Sequence, residues 1–460
     1  MKNPIPQLFA LSIVLLIVVQ GCNRCPKNLY ENYEQDQLIV IYKKAPTPEV
    51  KEKIREAIKS NDVEIDTIQE CNQCGVYAEL WHGEDIHSTI HAEGVSAGSG
   101  LRHNNVGEDT VARYMVNYKI PLPFDTFDHN GDIKGDENDS LVAMSLQNAI
   151  NTLEQRISGQ GRDTIIIAVL DTGFDPQGRL DSPFLWSNQN NDQDCYPVDS
   201  YGWNFIDDDK NIRDDNKPHW HGTFVSLFII NEFLQSPHNF PQIMSLKTHD
   251  ASGSGSLFKS ICAIHYAMAK GANIINASWG FYDNEILGHP YLDSLITEAL
   301  RQKGILFVTA AGNKIDEVDT DLKNDGVASV NLRDIKYNHF YPARLNNINS
   351  NNVFTVTTNS STDISPTQNY SSHYVDVGVM ADVIGANSMQ FTLPNINRMV
   401  SGSSYATAIF SGKIGAHIDK SICQPNISKI TVLSNLQAHI SGAPALNGKI
   451  RKGKYVKKWQ

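Results

Sequence analysis

The stretch T-I-I-I-A-V-L-D from Thr164 to Asp171 constrains the fold more than any other. A strand with one wet face alternates polar and apolar residues. This run is apolar from Ile165 to Leu170 without a break and rich in β-branched side chains, as suits a strand buried on both faces. Ile305 to Asn313 (I-L-F-V-T-A-A-G-N) reads as a second buried strand. Such strands belong to parallel sheets covered by helices on both sides, where binding sites lie at the strands' carboxyl ends. Asp171 stands at that end, followed by Thr172-Gly173. A buried aspartate must find a partner, since an isolated buried charge is very costly. The alternative is an aspartate that caps a turn.

Two further stretches are candidates to complete a site. In H-W-H-G-T-F-V-S-L-F-I-I, His221-Gly222-Thr223 opens an apolar helix. In V-S-G-S-S-Y-A-T-A-I-F-S-G, from Val400 to Gly412, a strand-like approach meets a glycine and two serines, and a helix follows. A serine there can be a helix cap. It can also be a hydroxyl beside backbone N–H groups and the positive end of a helix dipole, which suit charge developing on a substrate oxygen.

The chain order Asp171, His221, Ser404 is that of subtilisin and differs from those of chymotrypsin and the α/β-hydrolases. The motifs I-A-V-L-D-T-G, H-G-T-F-V-S and G-S-S-Y-A-T-A resemble the three catalytic signatures of the subtilisin-like serine peptidases (subtilase family), and Y-G-W-N-F-I-D-D-D (Tyr201 to Asp209) resembles the family's approach to its histidine. The resemblance implies a serine endopeptidase with a three-layer α/β fold and a mostly parallel central sheet. It implies Asp171, His221 and Ser404 as the triad and Asn313 as oxyanion donor. Ile274 to Gly280 resembles the wall of the primary specificity pocket, with Ser278, Trp279 and Gly280 facing substrate backbone; Gly253, Ser254 and Gly255 resemble the opposite edge of the cleft. Phe224, Ser403, Ala408 and Asp382 depart from the family's usual residues, but none removes a group that handles protons or an oxyanion.

The segment before this core is organised separately. Lys2 and the apolar run Leu8 to Val19 suit a signal-peptide core and are too short to span a bilayer. V-Q-G-C, ending at Cys22, resembles a bacterial lipobox, which implies cleavage after residue 21 and a lipidated Cys22; a plain secretory signal is the alternative. Either implies export. A strand at Gln37 to Tyr42, a helix opened by Thr47-Pro48, and strands at Val63 to Ile68 and Val76 to Leu80 make a small α+β module. In position and element order it resembles the family's pro-inhibitor segment, which implies that the chain carries its own intramolecular inhibitor. Residues 94–106 have a linker composition, and Met115 to Leu122 reads as a strand. The expected organisation is a signal peptide at 1–21, pro-segment and linker at 22–118, catalytic domain at 119–445 and a basic tail at 446–460, the last expected to be solvated.

Composition narrows the partners. The chain has 460 residues, a formal net charge of -12 and 20% charged residues, an ordinary globular balance without the basic face that nucleic-acid binding favours. Protein or peptide substrates are expected, with a lipid anchor and no nucleic acid. Seven cysteines are present. Cys71 and Cys74 form a C-x-x-C with no second pair to complete a zinc site, read as a local disulfide or two free thiols, and Cys262 as core filling. Asp128, Asn130 and Asp132 are spaced as in calcium loops, but Ile133 and Asp139 stand where an EF-hand needs glycine and glutamate; a solvated acidic loop is the favoured reading. No metal is assigned and no cofactor is required for the chemistry, with structural calcium left open.

Overall fold

The computed structural model describes residues 32–59, 64–84, 86, 111–122, 139–175, 180–188, 195–196, 199–283, 289–347, 350–385, 387–393, 396 and 398–458. The signal peptide with Cys22, the linker at 94–106, and Asp128, Asn130, Asp132 and Ile133 lie outside the described residues.

The N-terminal module is an antiparallel sheet with a helix. Strand β1 (Tyr33–Tyr42) lies between β3 (Ala78–His82) and β4 (Val111–Pro121), and β2 (Thr67–Cys71) pairs with β3. Helix α1 (Pro48–Lys59) starts where Thr47 Oγ1 accepts the Val50 N–H at 3.3 Å. Alternate residues of β1 enter different cores: Leu38 and Val40 pack within the module with Trp81, whereas Ile39 and Ile41 join a cluster shared with the main domain. The module therefore buries one sheet face against the rest of the protein. β4 runs straight through the expected boundary at residue 118.

The main domain is built on a nine-stranded sheet in which eight strands are parallel. The buried run forms β5 (Asp163–Asp171). β5 pairs along its length with β7 (Asn239–Lys247), which continues to β6 (Gly202–Asn204). Beyond the short strand β8 (Ser254–Ser256), β9 (Ile274–Ala277) flanks β5 on its other side. After the ribbon strand β10 (Phe281–Tyr282), β11 (Leu306–Ala310) extends the sheet. β12 (Phe340–Tyr341) pairs with β10, and β13 (Val353–Asn359) and β14 (Val377–Met380) continue the parallel ladder. β15 (Val383–Ile384), β16 (Met389–Thr392) and β17 (Met399–Ser401) form a small antiparallel sheet. Both faces of β5 are buried, as its composition requires. Ile165, Ile167 and Val169 face α2 (Asp139–Arg156), α3 (His221–Glu232) and α5 (Ser403–His417); Ala168 and Leu170 face α4 (Leu257–Ala269). The result is the expected three-layer α/β fold. α3 and α5 pack on each other and are enclosed almost all round, which explains their lack of a polar face.

Two expectations are corrected. Cys71 pairs with Cys262 and Cys74 with Cys195, at Cα–Cα distances of 6.2 and 4.9 Å. The C-x-x-C is thus neither a local disulfide nor free thiols, and Cys262 does more than fill core: both bonds join the N-terminal module to the main domain. The C-terminal stretch is not a solvated tail either. β18 (Ile440–Gly442) and β19 (Lys454–Lys457) complete the main sheet, β19 running parallel to β14 with Val456 buried. Lys458 is buried and pairs with Asp382, one of the family departures, so its charge is met rather than solvated.

Candidate active site

β5 delivers Asp171 to the carboxyl edge of the sheet, fully buried. Its Oδ1 lies 2.7 Å from His221 Nδ1 and accepts the Thr172 N–H at 2.8 Å. The carboxylate therefore fixes the imidazole through one nitrogen and leaves the other directed elsewhere. His221 begins α3, where Gly222 N–H donates to Thr172 Oγ1 at 2.9 Å, tying the helix start to the residue after Asp171.

Asp214 anchors the same helix end, and sequence reading missed it. Its Oδ2 accepts from Thr223 N and Thr223 Oγ1 at 2.9 and 2.8 Å, and Oδ1 accepts from Asn216 N at 3.1 Å. Burial pushes its carboxyl up to about 6 against these three donors. No motif in the chain distinguishes Asp214 from its neighbour Asp215; only the folded loop does.

Ser404 sits in the first turn of α5. Gly402 precedes the helix at φ 131, a conformation that favours glycine and turns the chain sharply from β17 into α5. The ring of Tyr405 lies 5.3 Å from that of His221, so the serine turn and the histidine are adjacent. Ser404 Oγ donates to Ser278 O at 2.8 Å, and Ser278 Oγ donates to Ser404 O at 2.9 Å, fastening the helix start to the end of β9.

Asn313 follows β11. Ser403 N–H and Ser403 Oγ donate to its Oδ1 at 3.0 and 3.2 Å. Because an N–H must be met by an oxygen, these bonds assign the amide and turn Nδ2 away from Ser403. Ser403 Oγ also accepts the Gly312 N–H at 3.2 Å, so serine at this position holds the asparagine turn in place. The other departures have local roles: Phe224 is buried beneath the Arg398 guanidinium, 5.3 Å from its ring, and Ala408 lies within the packed face of α5.

Asn313, Ser403 and Ser404 line a cavity of about 330 Å³ whose walls include Ser278, Trp279, Gly280, Gly312 and Phe340. Across the cleft lies β8, carrying Ser254 and Gly255 and preceded by Gly253. The end of β4 already occupies this edge: Ile120 pairs with Gly255, Pro121 with Ser254, and Leu122 N–H donates to Gly253 O at 2.9 Å. Pro121 lines the cavity. His249 lies buried under this strand, and burial, the largest influence, holds its imidazole down at about 4. All four expected chemical groups thus converge on one end of the sheet, and both expected edges flank them. Among the described residues no cluster of histidine, cysteine, aspartate and glutamate could hold a metal.

The family model described as the subtilase family matches residues 162–428, more than half of the chain. The chain belongs to the subtilase family. Among solved structures, the subtilase resembles fervidolysin from Fervidobacterium pennivorans, described as a keratinolytic enzyme related to subtilisin, with 15% identity and a TM-score of 0.51 over 93% of this chain. It spans 60% of that chain. A second similar structure is the prenylagaramide maturation protease PagA, with 20% identity and a TM-score of 0.36, over 66% of this chain and 93% of PagA. No curated protein matches. The fervidolysin likeness supports the subtilisin-like fold.

Proposed function

We propose that this subtilase is an exported serine endopeptidase in which Asp171, His221 and Ser404 act as a triad and Asn313 as oxyanion donor. The observation that carries the reading is the 2.7 Å contact between Asp171 Oδ1 and His221 Nδ1, made at the serine-bearing end of α5. In the reaction, Ser404 Oγ turns from the Ser278 carbonyl towards His221 Nε2, gives up its proton there and attacks the substrate carbonyl. His221 becomes imidazolium, stabilised by Asp171, and then protonates the leaving amine. Asn313 Nδ2 and the Ser404 N–H, which has no intrahelical acceptor in the first turn of α5, receive the oxyanion. Water repeats the sequence on the acyl-enzyme.

Substrate backbone pairs as an added strand between the Gly253–Gly255 edge and the Ser278–Gly280 edge. The N-terminal module is a pro-segment whose last strand fills the first of these edges, so the uncut chain inhibits itself. Two disulfides suit an oxidising compartment and so favour export; the lipobox-like V-Q-G-C adds membrane anchoring through Cys22 to the proposal. The described helices include none long and apolar enough to cross a membrane. Hydrolysis of unfolded casein by the protein, cut between β4 and β5 and kept in reductant, tests the reading. Turnover should be lost in Ser404→Ala and His221→Ala. Equal turnover by Ser404→Ala would exclude it.

A further inference from the structure

We infer that Phe340 sets the size of the side chain accepted on the amino side of the scissile bond, limiting it to glycine, alanine or serine. This rests on the catalytic reading above. If Ser404 Oγ attacks a carbonyl whose oxygen meets Asn313 Nδ2, the residue bearing that carbonyl lies between Ser278–Gly280 and Ala310–Asn313. Its side chain then has one place to go: the cavity that these segments wall.

Phe340 enters that space from β12. A Cβ built on Gly280 would stand 2.3 Å from Phe340 Cζ and 2.4 Å from Cε1; one built on Gly312 would stand 2.8 Å from Cε1 and 2.9 Å from Cδ1. The same ring edge therefore reaches both walls and fills the width of the slot between them. Only the absence of side chains at both glycines admits it. The ring is also held from behind. Phe340 pairs with Tyr282 in the β10–β12 ladder, the Tyr282 ring meets it edge-on at 4.9 Å, and Phe340 is 6% exposed. It belongs to a buried cluster that includes Ala311 and Val318. Moving the ring aside for a substrate aromatic would disrupt this packing. The open volume that remains also borders Pro121 and Glu317, beyond the two glycine walls.

The test is a series of succinyl-Ala-Ala-Pro-X coumarylamides with X as Ala, Leu or Phe. It is run on the wild-type protein and on Phe340→Ala, each cut between β4 and β5 and kept in reductant so that the N-terminal segment can leave. Wild type should favour Ala over Phe by at least about tenfold in kcat/KM, and Phe340→Ala should raise the Phe-to-Ala ratio by about 100-fold, the scale on which pocket volume discriminates. A role confined to stability would lower all three rates together. Wild type that cleaves the Phe substrate as fast as the Ala substrate overturns the inference, as does a ratio unchanged in Phe340→Ala. Phe340→Leu, closer in volume, provides the intermediate case and the substitute if the alanine variant does not fold. Fluorophosphonate labelling of the same sample separates the two failures. A labelled enzyme with the wrong preference sinks the assignment of Phe340 alone; an unlabelled, inert enzyme removes the catalytic reading and the inference with it.

Discussion

The pairing of Cys71 with Cys262 and Cys74 with Cys195 has a consequence for activation. Both N-terminal cysteines precede β4, and both partners lie in the main domain, 191 and 121 residues away in sequence. A cut anywhere between β4 and β5 would leave the two pieces covalently joined. The β4 end would then face β8 at an effective concentration of about 1 mM or more, the scale of a short tether. For an intrinsic dissociation constant of about 1 μM, the tethered segment would cover the cleft about 99.9% of the time. Untethered at 10 nM enzyme, it would cover the cleft only about 1% of the time. Reductant should therefore raise the activity of the cut, oxidised enzyme by about 1,000-fold on those numbers. Cys195→Ser/Cys262→Ser should be active once cut, without reductant. Non-reducing and reducing gels report the covalent link, and coumarylamide hydrolysis reports the open cleft. If the cut pieces separate on a non-reducing gel, or if reductant leaves activity unchanged, the pairing or the inhibitory role of β4 is wrong. Cys423 should not interfere, because burial pushes its thiol up to about 11 and keeps it protonated near neutrality.

Asn313→Ala should lower kcat by about 10²–10³-fold, the scale found when such a donor is deleted from subtilisin, with KM little changed; steady-state kinetics decide it, and a loss in KM alone would contradict the assignment. Asp214 should make stability depend on pH in a definite direction. Its folded pKa of about 6 lies above the ordinary 3.8, so its stabilising contribution is complete below about 4 and is lost as pH rises through 6. The unfolding free energy of Asp214→Asn relative to wild type should accordingly shift in the variant's favour by about 2 kcal/mol between pH 4 and 7; a pH-independent difference by denaturant titration would refute this. Mass spectrometry of the mature amino terminus should find an acylated Cys22. An unmodified terminus elsewhere would mean that the leader is a plain secretory signal.

The site was more legible in sequence than its surroundings because each part is a short local pattern. The unbroken run of β5 requires burial on both faces and so places Asp171 at a sheet edge; H-G-T and G-S-S each open an apolar helix. The signals that failed were long-range or disguised. Cys71 and Cys74 have an obvious local pairing, and nothing nearby reveals partners more than 100 residues away. In β19, Lys454 and Lys457 flank Tyr455 and Val456, and this charge density hid a strand paired on both sides, with Lys458 just beyond it meeting Asp382. Asp214 and Phe340 matter through the groups they meet after folding, Thr223 for one and Gly280 and Gly312 for the other. No pattern along the chain carries that information.

The most direct test of the central claim is the site of covalent labelling by a fluorophosphonate. Protein cut between β4 and β5, and reduced to open the cleft, would be treated with the probe, digested and mapped by tandem mass spectrometry. The account predicts one adduct, on Ser404, lost in His221→Ala and after active-site titration with a peptide aldehyde. An adduct on Ser403 or another serine, or none on a folded and reduced sample, would contradict it.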